Sequence, residues 1–296
     1  MTVNSTTIAL ALGALGLAII GTAARCEPVF DPPGEVLSIH PLAQHGELYG
    51  AARGAAAWHV AQWNNPGGDV GDFKDGRAAN DGFAVEIDGG AEPRFKILQS
   101  GEQLRCDENG RPLEFDGFIG SNTRDNNPGL PSAEHGEMRS VPLSKLGSLT
   151  QEISLKVNQA NLISSSGCAF SKSLSIVTVV FTNKQAKQAF FYQIVVYGFN
   201  LDPKSFWWAK GRPNGRYGFN QVTDLAAKPW AVGDNRKLKL DILPAVQSLI
   251  AASGVGIDPN LDNWFLSAAY FGNTLYGQVR LETEWSSYRL EAVVKR

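Results

Sequence analysis

Residues 173–200, SLSIVTVVFTNKQAKQAFFYQIVVYGFN, decide the fold class of this chain of 296 residues. The run over 173–183 is rich in β-branched residues and too apolar for a strand that has one face in water. The run over 189–200 has the same character. We therefore predict two neighbouring segments of β-strand that both lie centrally in a sheet.

Shorter strand-like segments, separated by clusters of Gly, Pro, Asn and Asp, lie on both sides of this stretch. They cover residues 57–63, 82–89, 94–100, 152–159, 204–211, 216–224, 236–242, 263–277 and 286–294. Residues 105–140 are polar and rich in turn formers, which predicts a long loop.

One segment, residues 242–253, is predicted to be helical. Asp241 can cap its start, Pro244 falls in its first turn and Gly254 can end it. Strands and helices do not alternate along the chain. The pattern therefore indicates an all-β fold, an antiparallel β-sandwich or jelly roll, formed as one domain by residues 55–296.

Composition and charge exclude two classes of protein. A chain with 43% hydrophobic and 19% charged residues is too apolar to be intrinsically disordered. Its 27 Lys and Arg against 29 Asp and Glu give a net charge of −2. Because no basic excess is present to bind a phosphate backbone, we expect no nucleic-acid partner. A phosphate-binding GxxxxGK[ST] motif is absent as well, so no nucleotide cofactor is expected.

The N-terminus resembles an export signal. Residues 8–20, IALALGALGLAII, are apolar, and small residues up to Ala24 follow them. This run is too short to span a bilayer of about 30 Å as a helix. We predict a signal peptide over residues 1–24, followed by an extended lead-in over 25–54. An uncleaved anchor or a buried N-terminal segment is the alternative, because no Lys or Arg precedes the apolar run.

Three cysteines, Cys26, Cys106 and Cys168, are present and no CxxC pair occurs, which excludes a zinc ribbon. Export permits one disulfide. We prefer Cys106–Cys168, although the sequence alone does not fix the pairing. Arg25 before Cys26 argues against a lipid-anchoring site at that cysteine.

Common catalytic and metal-binding motifs are absent. There is no GxSxG or HExxH motif. The histidines are scattered and favour structural or surface roles (His40, His45, His59 and His135). The acidic turn formed by Asp69, Asp72 and Asp75 has oxygen ligands of the kind that calcium prefers, but its spacing is not that of an EF-hand. We therefore expect no cofactor and interpret this stretch as a solvated turn, with calcium as the alternative.

Aromatic residues are the candidate ligand platform. Adjacent residues of a regular strand point to opposite faces, so Trp207 and Trp208 cannot both lie in the core. One of them faces outward, where a flat ring can stack on the apolar face of a sugar. Burial of that ring under a loop is the equal alternative. Trp63, in the aromatic segment 57–63, is a second candidate of this kind.

Three C-terminal segments carry a resemblance to the glycoside hydrolases of family 12. FYQIVVY (191–197) resembles that family's nucleophile strand, and KLKLDILPAVQSLI (237–250) resembles its strand and following helix. WFLSAAYFGNTLYG (264–277) with SSYRLEAVV (286–294) resembles its closing strand pair. The resemblance covers about residues 175–296. It implies a concanavalin-like jelly roll with a concave, aromatic-lined face that takes a polysaccharide.

The departures from that family's motifs bear directly on activity. The position of the nucleophilic Glu is occupied by Gln193, and that of the acid/base Glu by Thr274. Gln does not titrate and Thr cannot protonate a leaving oxygen, so the usual carboxylate pair is missing. Strand parity places Gln193 and Tyr197 on one face, and Thr274 and Tyr276 together likewise. Stacking and hydrogen bonding by these residues could still hold a glycan.

The sequence thus predicts an exported polysaccharide-binding jelly roll, with Gln193, Tyr197, Thr274, Tyr276, Trp63 and Trp207 as ligand-binding residues. A glycan-cleaving enzyme, a hydrolase or a lyase, is the first alternative. It would need other carboxylates, and Asp88, Glu152, Glu282 and Glu284 are candidates, although each is more typical of a solvated strand charge. A structural or adhesion module of the cell envelope is the second alternative.

Overall fold

The structure, a computed structural model, describes residues 26–30, 47–49, 59–68, 70, 75–88, 94–122, 141–164, 167–201, 207–209, 215–222, 231–252 and 256–295. The predicted signal peptide lies outside these residues. Within them, no helix has the length and apolar character that crossing a membrane would require.

Strands dominate the described part of the chain. In chain order they are β1 (Cys26–Phe30), β2 (Glu47–Tyr49), β3 (His59–Trp63), β4 (Arg77–Ala79), β5 (Phe83–Asp88), β6 (Arg94–Ser100), β7 (Glu114–Asn122), β8 (Leu146–Leu162), β9 (Lys172–Asn183), β10 (Gln188–Phe199), β11 (Trp207–Ala209), β12 (Arg216–Val222), β13 (Asn235–Asp241), β14 (Phe265–Tyr276) and β15 (Val279–Val294). The one α-helix among the described residues, α1, covers Leu243–Ala251. Short 3-10 turns lie at Leu143–Lys145 and Leu261–Asn263.

The strands form two sheets, which confirms the predicted all-β sandwich. The seven-stranded sheet has the order β13-β8-β15-β6-β5-β4, with β1 paired to β15. The eight-stranded sheet has the order β11-β12-β10-β9-β14-β7-β3-β2. Strands β9 and β10, which the opening stretch of sequence predicts, pair antiparallel near the middle of the larger sheet. The pair β10–β12 is parallel.

Aromatic side chains from both sheets meet in the core between them. Phe271 of β14 packs against Phe95 of β6, and against Trp285 and Tyr288 of β15, with ring centroids 5.2–5.4 Å apart. Phe271 and Trp285 are both 0% exposed. Burial of such rings is the main favourable term in the folding of a sandwich.

A small polar network crosses the same core and joins the sheets. Asn273 of β14 accepts a hydrogen bond from Ser175 Oγ (2.9 Å) and donates one to Thr283 Oγ1 (2.8 Å) on β15. Thr283 Oγ1 also accepts from Trp285 Nε1 (2.9 Å). Asn273 and Thr283 are fully buried, so each partner compensates a group that has lost its water.

Helix α1 lies where the sequence predicts it. Asp241 Oδ1 accepts hydrogen bonds from the backbone N–H of Leu243 (3.1 Å) and of Leu149 on β8 (2.9 Å), so it ties the helix start to the sheet. Leu243, Val246 and Ile250 bury the inner side of the helix in the core. The predicted stop at Gly254 lies outside the described residues.

The preferred disulfide is present. Cys106 and Cys168 are bonded, with Cα atoms 5.6 Å apart, and the bond joins the turn before β7 to the segment before β9. The predicted lead-in (25–54) contributes strands to both sheets, because β1 pairs with β15 and β2 pairs with β3. The boundary predicted at residue 55 therefore does not separate the lead-in from the sandwich.

The prediction of one long loop over 105–140 is wrong for residues 114–122, which form β7 between β14 and β3. Gly117 and Gly120 weaken the strand signal in this part of the sequence, because glycine is depleted in strands. The glycines are present for a steric reason. A Cβ at Gly117 would lie 2.4 Å from Phe83 Cε2, and one at Gly120 would lie 2.8 Å from the Cβ of Tyr270.

Because of this close packing, we expect Gly117→Ala to lower the free energy of unfolding by about 2 kcal/mol, a typical cost of overpacking a core. Urea denaturation would measure the change. Gly147→Ala on β8 is the matched control, since an added Cβ there meets neighbours only at 3.5 Å or more. An equal, small effect of both substitutions would contradict this steric explanation of Gly117.

Candidate functional site

Alternate side chains of the eight-stranded sheet point away from the core, and we call this surface the outer face. The strand register defines its rows. Trp63 of β3 lies opposite Asp116 of β7, which lies opposite Thr274 of β14, which in turn lies opposite Leu174 of β9. The missed strand β7 thus lies in the middle of the surface on which the predicted residues Trp63, Thr274 and Tyr276 meet.

A line of aromatic rings crosses the outer face. Trp63 packs edge-on against Phe118 at a centroid distance of 5.8 Å, and Phe118 packs against Tyr270 at 5.0 Å. Phe118 is buried in a small apolar cluster on this face, while Trp63 and Tyr270 remain partly exposed at either side of it. The cluster fixes the rings and leaves part of two aromatic surfaces open to solvent.

Two carboxylates beside this line each accept a hydrogen bond from a hydroxyl group. Thr274 Oγ1 donates to Asp116 Oδ1 (2.5 Å), and the Tyr276 phenol donates to Glu114 Oε1 (3.0 Å). Burial, followed by the nearby Glu114 and Asp116 charges, raises the pKa of the Tyr276 phenol far above its usual value. Tyr276 is therefore a permanent hydrogen-bond donor at neutral pH and does not act as a base.

Sequence reasoning missed Glu114 and Asp116. A short signal was available in Glu-Phe-Asp (114–116), where one aromatic residue lies between two acidic residues, as expected for a half-buried strand. Phe115 points into the core and is 0% exposed. Its neighbours Glu114 and Asp116 consequently point outward.

Lys172 completes the row that contains Glu114 and Tyr276, since it lies opposite Tyr276 on β9. Its ammonium nitrogen is 4.9 Å from the centre of the Tyr276 ring and 5.2 Å from that of Phe170. Burial lowers the pKa of the Lys172 amine, and the charge of Glu114 opposes part of this effect. The row therefore presents a cation that lies over two adjacent aromatic rings.

Gln193 and Thr274 share the outer face but are not a facing pair. Gln193 lies opposite Thr178, which lies opposite Tyr270, four residues from Thr274 along β14. Four residues and two strand spacings separate them by about 13 Å along the strands and about 10 Å across them. A catalytic carboxylate pair needs about 5–5.5 Å in a retaining glycosidase. The positions that the family resemblance assigns to such a pair are too far apart to act as one.

The prediction that Tyr197 shares a face with Gln193 is wrong. The register of β10 shifts between Val195 and Tyr197, which is a β-bulge. The extra residue reverses the alternation beyond it, so Tyr197 lies opposite Ser175 and points into the core. Burial raises the pKa of the Tyr197 phenol to about 12. Its apolar setting is that of a core side chain.

Trp207 occupies the end of the Gln193 row. It lies opposite Asn220 on β12, which lies opposite Gln193 on β10. The backbone register thus puts Trp207 at a position of the outer face. No described residue forms a hydrogen bond with the side chain of Gln193, which is partly exposed.

The other candidate carboxylates lie on the opposite surface of the sandwich, the outward side of the seven-stranded sheet. There Glu282 pairs with Lys96 (3.0 Å) and Asp88 with Arg94 (2.9 Å). Glu284 lies 3.9 Å from Arg94, and Glu152 pairs with Lys237 and Lys239. These residues are solvated strand charges, as the simpler interpretation expects.

The described residues contain no group of three or more His, Cys, Asp or Glu that could hold a metal ion. Of the acidic turn that suggested calcium, Asp75 is described, whereas Asp69 and Asp72 lie outside the described residues. Of the four histidines, only His59 is described; its backbone position is opposite Gly120, at one edge of the outer face.

The fold is an all-β sandwich of jelly-roll type, and its outer face carries polar and aromatic side chains. No protein-family model and no curated protein matches the chain. Among solved structures, it is similar to a family 12 xyloglucanase from Bacillus licheniformis, with 13% identity over 86% of this chain and 99% of that one, at a TM-score of 0.49.

Two further solved structures are also similar to the chain. Endoglucanase 3 of family GH12 from Trichoderma harzianum has 9% identity over 86% of this chain and 96% of that one, at a TM-score of 0.43. The family 11 xylanase from Neocallimastix patriciarum has 11% identity over 88% and 96%, at a TM-score of 0.39. Likenesses this distant concern the fold and say nothing about the activity of this chain.

Proposed function

We propose that this chain is an exported polysaccharide-binding protein that holds its glycan against the outer face without covalent chemistry. One observation carries the proposal: the partly exposed rings of Trp63 and Tyr270, fixed by Phe118, lie beside the carboxylates of Glu114 and Asp116. Flat rings for the apolar faces of sugars, next to acceptors for their hydroxyl groups, suit a glycan ligand.

Each group has a defined part in this binding. A sugar ring stacks on Trp63, which the edge-on contact with Phe118 holds in place. A carboxylate offers about four lone-pair sites on its two oxygens, so Asp116 and Glu114 can accept from ligand hydroxyls and keep their bonds to Thr274 and Tyr276. Gln193 adds an amide donor and acceptor farther along the face.

Export is part of the proposal and rests on two features. The apolar segment at residues 8–20 has the length of a signal-peptide core. The Cys106–Cys168 disulfide suits an oxidising compartment, because such bonds are rare where the cytosol keeps thiols reduced.

A glycan-cleaving enzyme is the second candidate, and the two carboxylates on the outer face favour it. Glu114 and Asp116, however, lie two residues apart on the same strand, β7. A glycosidase uses carboxyl groups that flank the scissile bond from opposite sides. On the adjacent strands β3 and β14, none of the residues that the register places opposite Glu114 and Asp116 is a carboxylate. Binding therefore agrees better with the geometry than hydrolysis does.

The test is native affinity electrophoresis of the mature protein in gels cast with β-glucan, xyloglucan, xylan or alginate, stained afterwards for intact polymer. Retardation in at least one gel without a cleared zone is the expected result. A cleared zone would replace the proposal with the enzyme, and unchanged mobility in every gel would favour an envelope module that binds protein.

Trp63→Ala is expected to weaken retention on the polymer that binds best by roughly 30-fold, about 2 kcal/mol, as loss of a central aromatic anchor typically does. The dissociation constant comes from mobility against polymer concentration. Leu162→Ala is the control, because Leu162 is an exposed hydrophobic residue at the end of β8, in the other sheet. Equal retention of both variants and the wild type would remove Trp63 from the binding surface.

A further inference from the structure

Lys172 is a half-buried cation for which the described residues provide no hydrogen-bond acceptor. Its ammonium group lies over the neighbouring rings of Phe170 and Tyr276. No residue in the described part of the chain accepts a hydrogen bond from its nitrogen or forms an ion pair with it within 4.0 Å. An ammonium has three donors, and burying it without acceptors costs free energy that cation–π contacts offset only in part.

A second cation near the same row, Arg111, also lacks an ion-pair partner among the described residues. The backbone of Arg111 is held in a turn by Asp107, whose Oδ1 accepts from the Arg111 N–H (2.9 Å). Within the described residues, the guanidinium of Arg111 has no acceptor. Its charge acts on the Tyr276 phenol, because the chain after Arg111 runs beside the end of β14, where Leu113 O accepts from Gly277 N.

The carboxylates near Lys172, unlike its ammonium group, do have hydrogen-bond partners within the protein. Glu114 and Asp116 each accept a hydrogen bond from a hydroxyl of the protein. On the outward side of the seven-stranded sheet, by contrast, cations such as Lys96 and Arg94 are paired with carboxylates. Lys172 thus has the negative charge of Glu114 nearby, but among the described residues it has neither a hydrogen-bond acceptor nor an ion pair within 4.0 Å.

We infer that the glycan bound at the outer face is acidic, with sugar rings that carry carboxylate or sulfate groups, and that Lys172 and Arg111 are the residues that select for the anionic group. The inference rests on the proposed function and adds the class of ligand to it. An anionic substituent supplies the acceptors that the Lys172 ammonium lacks, and the exposed ring of Phe170 lies beside that ammonium. Charge-assisted hydrogen bonds of this kind are about twice as strong as neutral ones.

The test compares polymers that share a backbone and differ in charge. Polygalacturonate is paired with its fully methyl-esterified form, and dextran sulfate with dextran, in the same affinity gels at about 20 mM and about 300 mM salt, a range over which exposed charges become screened. The variants are Lys172→Met, which keeps the length of the side chain, and Arg111→Gln. Lys237→Met is the matched control, because Lys237 lies on the other sheet and its partner Glu152 keeps Lys239.

We expect at least tenfold tighter binding of a charged polymer than of its neutral counterpart, and weaker binding at the higher salt concentration. Lys172→Met and Arg111→Gln should each lose about tenfold in affinity for that polymer, whereas Lys237→Met should not differ from the wild type. Preference for polygalacturonate would identify the anionic group as a carboxylate, and preference for dextran sulfate would identify a sulfate.

Two results would overturn the inference, and they are distinguishable. Retention on neutral polymers, with no preference for charge and no effect of Lys172→Met, would leave polysaccharide binding intact and remove the acidic ligand. Unchanged mobility on every polymer would overturn both the proposed function and this inference. Melting temperatures of the variants near that of the wild type would ensure that each protein assayed is folded.

Discussion

Replacing both cysteines of the disulfide, in a Cys106→Ala/Cys168→Ala variant, is expected to lower the free energy of unfolding by about 4 kcal/mol. The bond closes a loop between residues that are 62 positions apart. In the chain-entropy description, a crosslink over a loop of this length restricts the unfolded chain by about that amount. Guanidinium denaturation under non-reducing conditions would measure the change in midpoint and slope.

The wild type in excess reductant is the control for this variant, since both proteins lack the bond and should unfold at the same denaturant concentration. Oxidised wild type that is no more stable than either would contradict the prediction. The backbone bonds from Ala169 N to Gly110 O (2.8 Å) and from Leu113 N to Arg105 O (3.0 Å) would then be sufficient to hold the two segments.

The same bond has a consequence for the outer face. Cys168 is two residues from Phe170 and four from Lys172, and Cys106 begins the turn that carries Arg111. The side chains of Phe170, Lys172 and Arg111 form the proposed anion-binding part of the outer face. We therefore expect the disulfide to contribute to the order of the binding site as well as to global stability.

The strands that could be predicted from the sequence are those with a strong local signal. β9 and β10 are almost continuous runs of β-branched and aromatic residues, which is typical of central strands. The helix was predictable because Asp241 and Pro244 mark its start and apolar residues recur on one side. In each of these elements the local preference and the tertiary setting agree.

The errors come from features that depend on tertiary contacts. Gly117 and Gly120 reduce the strand signal of β7, and only the positions of Phe83 and Tyr270 explain why glycine is present. The predicted alternation of inward and outward side chains along β10 is wrong at Tyr197, because a bulge adds one residue to the strand. No sequence feature of Val-Val-Tyr (195–197) indicates this bulge. These errors affected the prediction of the candidate site most, because the site lies on the neighbouring strands β7, β14 and β9.

The position of β14 is fixed by the buried hydrogen bonds to the hydroxyl group of Thr283. This hydroxyl accepts from Asn273 Nδ2 and from Trp285 Nε1, both of which are removed from water. Asn273 lies directly between Gly272 and Thr274 on the strand that carries Thr274 and Tyr276 to the outer face. A bond inside the core therefore fixes the position of side chains on the surface.

Thr283→Val keeps the shape of the side chain and removes the acceptor, so two buried donors lose their partner. Each unsatisfied donor costs about 1–3 kcal/mol, and we expect the variant to lose about 3 kcal/mol of stability in urea denaturation. Thr283→Ser is the matched control, because it keeps the hydroxyl and removes one methyl group, at a cost of about 1 kcal/mol. If valine were tolerated as well as serine, the network would not be needed for stability, and the position of Thr274 and Tyr276 would depend on the packing of Phe271 instead.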